Sequence, residues 1–198
     1  MSDRLALPLQ TPLFDQLTLV GVGLIGSSLA RVARRQNLAK TIVALDASED
    51  ARKKITALHL ADRVTDDYAE GVKNADCIIL CVPVGACGAV AERIAPSLKA
   101  GAILSDVGSV KGAIISQIEP HLPKHVHFVP AHPVAGTEQS GPEAGFATLF
   151  NNRWCILTPP EGTDKDAVAK LRLFWEGAGS NVEEMSPAHH DLVLAITS

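Results

Sequence analysis

Short apolar runs alternate with stretches of helical periodicity along this chain. Residues 17–20 read as a buried strand. From about residue 24 to 36, Ile25, Leu29, Val32 and Ala33 form an apolar stripe opposite Arg31, Arg34 and Arg35. A second strand is expected at 41–45, then a helix capped by Ser48 with Glu49 and Asp50 in its first turn. Val64-Thr65 marks a short third strand. Residues 77–82, CIILCV, are almost wholly apolar and so expected to be buried on both faces. Pro83 closes that strand, and a helix with Val90, Ile94 and Leu98 at helical spacing follows to about Leu98. Further strands are expected at 102–105, 126–130, 154–157 and 181–185, with helices at 110–118 and about 164–178. The strand at 126–130 should run straight into His132-Pro133. Such alternation indicates an α/β fold: a Rossmann-type, doubly wound, mostly parallel sheet with helices on both faces.

The segment LTLVGVGLIGSSLA, residues 17–30, adds chemistry to this pattern. Gly21, Gly23 and Gly26 stand in GxGxxG spacing between a strand and a helix, the context a dinucleotide fingerprint requires. Gly21 permits a tight turn, Gly23 lets backbone approach a pyrophosphate, and Gly26 lets the helix pack on its strand. Free N–H groups in the first turn, at Leu24 and Ile25, would hold the anion. Asp46 ends the second strand about 20 residues further on, where a ribose-binding acid is expected. A carboxylate there suits the hydroxyls of NAD and repels the 2′-phosphate of NADP. Ala47-Ser48-Glu49-Asp50 offers no cation in compensation, and Arg52 and Lys53 read as solvated. NAD is expected over NADP. In such sheets ligands bind beyond the carboxyl ends of the strands, which adds Val82, Pro83 and Asp106 to the cofactor contacts.

Composition narrows the class. Of 198 residues, 46% are hydrophobic and 20% charged, which marks a folded globular chain. Net charge is −4 and no basic run is longer than Arg52-Lys53-Lys54, with Arg34-Arg35 the next, which argues against nucleic acid. No apolar run reaches the length of a membrane span. Cys77, Cys81, Cys87 and Cys155 sit in or beside apolar runs without zinc spacing, so buried free thiols and a cytoplasmic location are expected. Residues 1–16 read as a tail, 17–186 as the dinucleotide-binding domain, and 187–198 as a helix projecting from it. Ala188, Leu192, Val193 and Ile196 give that helix an apolar face in need of a partner.

PAHPVAGTEQSG, residues 130–141, is the second informative stretch. His132 follows a strand directly. With an ordinary pKa near 6.5 it suits a base that takes a hydroxyl proton as hydride leaves the adjacent carbon; the alternative is a histidine that caps the loop. Ser109 either orients His132 or caps the helix that follows. Lys111 is either a surface residue or an anion contact. His121, His125 and His127 read as exposed or loop residues, and His189 and His190 point from adjacent faces of the last helix, which disfavours a shared metal.

Taken in order, GVGLIGSSLA, DVGSVKG, HPVAGTEQSG, RWCILTP and SPAHHD resemble the prephenate/arogenate (cyclohexadienyl) dehydrogenase family, over residues 17–198. The resemblance implies an enzyme of tyrosine biosynthesis. It would oxidise the C4 hydroxyl of prephenate or arogenate with NAD or NADP and release the C1 carboxylate as carbon dioxide. By motif, His132 is the hydrogen-bond acceptor for that hydroxyl and Ser109 its partner, with Thr137, Glu138 and Gln139 at the mouth of the substrate site. In that family a helical domain follows, with an arginine for the substrate and a homodimer interface. This chain therefore reads as the cofactor domain with its catalytic histidine. Rival readings are another Rossmann dehydrogenase, such as a 3-hydroxyacid type, and a non-catalytic NAD-responsive module.

Overall fold

A computed structural model describes residues 8–197. Six parallel strands form the main sheet: β1 (Phe14–Val20), β2 (Ala39–Leu45), β3 (Arg63–Thr65), β4 (Cys77–Leu80), β5 (Ile103–Asp106) and β6 (His127–Phe128), in the order β3-β2-β1-β4-β5-β6. β1 starts three residues earlier than its apolar run. Gln16 and Thr18 lie buried in it because the Thr18 hydroxyl and the Gln16 amide both donate to the Gly71 carbonyl. The expected tail is docked from Leu9 onward, whose N–H donates to the Gln36 carbonyl; residues 1–7 lie outside those described.

Alternate strand residues enter two cores, one on each face. Leu17, Leu19, Ile42 and Ile79 face α1 (Leu24–Arg35), α2 (Glu49–Ala57) and α6 (Lys165–Gly177). Val20, Leu45, Ile78, Leu80 and Leu104 face the opposite way, toward α3 (Tyr68–Val72), α4 (Cys87–Ile94) and α5 (Lys111–Ile118). This is the doubly wound arrangement, with the crossovers that parallel pairing demands. Ser48 caps α2 as expected, its hydroxyl accepting from the Ala51 N–H. Helix α3 was not expected, since five residues carry too little periodicity; Asp67 caps it. α4 stops at Ile94 and continues only as a 3-10 turn, because Pro96 offers no N–H.

The main correction concerns residues 126–133. β6 ends at Phe128, and Pro130, which has no N–H for a ladder, marks the exit from the parallel sheet. β7 (Ala131–Pro133) belongs to a second, three-stranded sheet with β8 (Trp154–Leu157) and β9 (Asn181–Glu184). β7 runs antiparallel to β8, with His132 opposite Ile156, and β8 pairs in parallel with β9. Across the junction, Trp175 of α6 lies fully buried with its ring edge-on to Phe150 and Phe174. α7 (Pro187–Thr197) does not project freely but packs on α5, although Leu192 and Ile196 remain exposed.

Candidate active site

The glycine turn sits at the carboxyl end of β1, in the middle of the main sheet. Gly21 has φ +80°, and a Cβ there would come within 2.7 Å of the Val82 side chain. A Cβ on Gly26 would stand 2.7 Å from the Gly21 carbonyl oxygen, so α1 approaches the turn as closely as backbone allows. Gly23, by contrast, has nothing within 4 Å of its missing side chain, and α1 begins there without a side-chain cap. Its open cradle of first-turn N–H groups, with Leu24 and Ile25 half-buried, fits a dinucleotide pyrophosphate.

Asp46 is half-buried at the end of β2. One carboxylate oxygen accepts from the Val22 N–H at 2.8 Å and the other from the Ser48 N–H at 2.9 Å. The acid is thereby fixed to the glycine turn, and each oxygen keeps a free lone pair for a hydroxyl donor. Arg52 is not solvated. Its guanidinium donates to the carbonyls of Asp46 and Ala47, both at 2.9 Å, and pairs with Asp66 at 3.0 Å.

Val82 lies half-buried against Gly21 and Pro83 is exposed, both beyond β4. Asp106, expected to contact cofactor, is instead fully buried at the end of β5. Its carboxylate accepts from Lys111 Nζ at 2.6 Å, from the Gly108 N–H at 2.8 Å and from the Ala131 N–H at 3.3 Å. Lys111 is no surface residue: its anion is the Asp106 carboxylate, it is equally buried, and it donates also to the Ala131 carbonyl at 2.6 Å. Burial pushes the Asp106 carboxyl up and the Lys111 ammonium down, and each is the other's main counterweight. This pair clamps β7, and so His132, to the end of β5.

His132 is 8% exposed and opens on a cavity of about 510 Å³. Ser109 and Val110 line it from the loop before α5, Val134 from the turn beyond β7, and Asp191, Leu194 and Ala195 from α7. His132 Nδ1 lies 2.9 Å from His190 Nε2, and His190 Nδ1 lies 2.8 Å from an Asp191 carboxylate oxygen. The two imidazoles meet edge to face, with centroids 5.1 Å apart. Burial first, then the neighbouring His190 and Lys111, lower the His132 pKa from 6.5 to about 4, so the ring is neutral at pH 7.

Ser109 shares the cavity with His132, but the orienting contact to the imidazole comes from His190. Nor does Ser109 cap α5. Asp191 does so, accepting from the Lys111 N–H at 2.9 Å and the Gly112 N–H at 2.8 Å. Thr137, Glu138 and Gln139 lie on an exposed loop outside the cavity lining; beyond it, Gly145 and Phe146 pack on Ser27 and Ser28 of α1. His190 and Asp191 are the residues that sequence reasoning missed. A His-Asp pair among the apolar positions of the last helix was the available signal. Cys77, Cys87 and Cys155 are buried free thiols and Cys81 is half-buried. No described helix is long and apolar enough to cross a membrane.

The profile of the family described as prephenate dehydrogenase, nucleotide-binding domain, matches residues 29–184. The cyclohexadienyl dehydrogenase of Zymomonas mobilis is 46% identical over 93% of this chain and 63% of its own length. The prephenate dehydrogenase of Bacillus subtilis is 35% identical, again over 93% of this chain but 50% of its own length. Among solved structures, Aquifex aeolicus prephenate dehydrogenase, in complex with hydroxyphenyl propionate and NAD+, superposes with a TM-score of 0.85 at 34% identity, covering 94% of this chain and 64% of that one. Synechocystis arogenate dehydrogenase gives a TM-score of 0.86 at 32% identity, covering 92% and 64%. The chain thus spans between half and two thirds of the length of these relatives. Parallel sheet, glycine turn and matched residues lead to one conclusion: the chain belongs to the prephenate dehydrogenase family and corresponds to its nucleotide-binding domain.

Proposed function

We propose that this chain supplies the cofactor domain and the catalytic base of an NAD-dependent dehydrogenase acting on prephenate, arogenate or both. The observation that carries this reading is His132, a neutral imidazole fixed on one side and open to a cavity on the other. NAD, held by the glycine turn and Asp46, would supply the acceptor for the hydride released as the C4–H bond of the substrate ring breaks. His132 accepts the C4 hydroxyl proton as that bond breaks. Loss of the C1 carboxylate as carbon dioxide then supplies the electron pair that aromatises the ring, and the proton returns to the phenolic oxygen. Ser109 lines the same cavity and would bind the substrate hydroxyl beside His132. Thr137, Glu138 and Gln139, exposed on the loop beyond β7, would stand at the mouth of the substrate site.

Asp46 supports NAD over NADP, because a 2′-phosphate would set about two negative charges against a carboxylate. Arg52 is already engaged by two carbonyls and Asp66. Calorimetric titration should give tighter binding of NAD than NADP, and Asp46→Ser with Ala47→Arg should shift the preference toward NADP. Equal affinities for the unaltered protein would count against the assignment. The reading itself is tested by His132→Asn in the intact protein. Turnover should fall by about 10²–10⁴ with cofactor affinity little changed; unchanged turnover would refute it.

A further inference from the structure

Resting on that reading, we infer that His190 and Asp191 form a positioning relay that holds His132 in the one tautomer able to accept a proton from substrate. The argument follows the protons. An Asp191 carboxylate oxygen has only lone pairs to offer, so at 2.8 Å His190 Nδ1 must carry the proton. A neutral His190 then presents a bare Nε2 to His132. Two bare nitrogens at 2.9 Å would repel, so His132 Nδ1 bears the proton and donates it. His132 Nε2 is left with its lone pair, and no described residue hydrogen-bonds to it. That is the state a general base requires. The logic is that of a hydrogen-bonded acid fixing the base's orientation and tautomer, extended by one imidazole.

The relay is built firmly. Asp191 is tied to the start of α5 through the N–H groups of Lys111 and Gly112, and His190 has no exposed surface. The ionisable groups facing His132 are His190 and Asp191 from α7, Lys111 from α5 and Cys155 from β8; Asp106 is spent on Lys111. None of the others offers His132 Nδ1 an acceptor.

Nitrogen-15 NMR of histidine-labelled protein tests this without substrate, with His132→Asn providing the assignment. At pH 7 the spectrum should show His132 protonated at Nδ1 and bare at Nε2. His190→Leu should abolish that preference and lower kcat of the intact protein roughly 5- to 150-fold, the range for one buried hydrogen bond left unmade, with cofactor affinity unchanged. His190→Gln, whose amide can accept from one side and donate to the other, should restore most of the activity and the His132 tautomer. A wild-type His132 protonated at Nε2 at pH 7 overturns the relay, and this needs no variant to fold. So does a His190→Leu protein with unaltered His132 signals and kcat, or a folded His190→Gln protein no more active than His190→Leu. These outcomes leave the role of His132 intact. Undiminished turnover in His132→Asn would instead remove the reading on which the relay rests.

Discussion

At the scale of single residues, two buried charges and one buried imidazole govern how this protein responds to change. Removing one member of a buried ion pair strands the other. Lys111→Met should therefore cost about 3–5 kcal/mol by chemical denaturation, whereas Lys111→Met with Asp106→Leu should cost less than either change alone. His132 acts through its proton. Its folded pKa, about 4, lies below the ordinary 6.5, so between these values the unfolded chain binds a proton that the folded ring refuses. That contribution to stability is complete above pH 6.5 and is lost as pH falls toward 4. Asp191, held low by the Gly112 and Lys111 N–H groups and by His190, adds a further loss at still lower pH. Urea midpoints should thus fall from pH 7 to 4.5, and His132→Asn should flatten the upper part of that decline.

At the scale of elements, the glycine turn separates packing from binding. Gly26→Ala forces a Cβ against the Gly21 carbonyl, so α1 must shift from β1, and stability should drop by roughly 1–3 kcal/mol along with dinucleotide affinity. Gly23→Ala meets only open space. Its stability should hold within about 0.5 kcal/mol while affinity falls, which paired thermal melts and calorimetry would distinguish. This turn was legible in the sequence because its causes are local: a strand, three glycines and a helix within a dozen or so residues. His132 was legible too, as a histidine at the end of an apolar run. What the sequence hid was the company these residues keep. Lys111 looked undecided because its burial depends on a turn that brings β5, α5 and β7 together. Ser109 was read as orienting His132 or capping α5, whereas the contact to the His132 imidazole comes from His190, 58 residues away in the chain. The break between β6 and β7 was missed because an apolar run does not reveal which sheet receives it; Pro130 was the only local hint.

At the scale of the whole molecule, the two sheets depend on each other. Val129, Ala131, Cys155 and Leu157 share one core with Leu17, Leu19 and α6, so the second sheet has no separate interior. Unfolding should accordingly be a single transition by circular dichroism and by denaturant titration. The two tryptophans give that expectation a spectroscopic form. Trp175 lies at the junction with no exposed surface, ringed by Phe150 and Phe174, while Trp154 opens β8 at 52% exposure. Acrylamide should quench the red-shifted emission of Trp154 readily and leave the blue-shifted emission of Trp175 nearly untouched. Trp154→Phe then leaves one tryptophan, seated where both sheets and α6 meet. Its wavelength would report, in any variant or solvent, whether the second sheet has come away from the first.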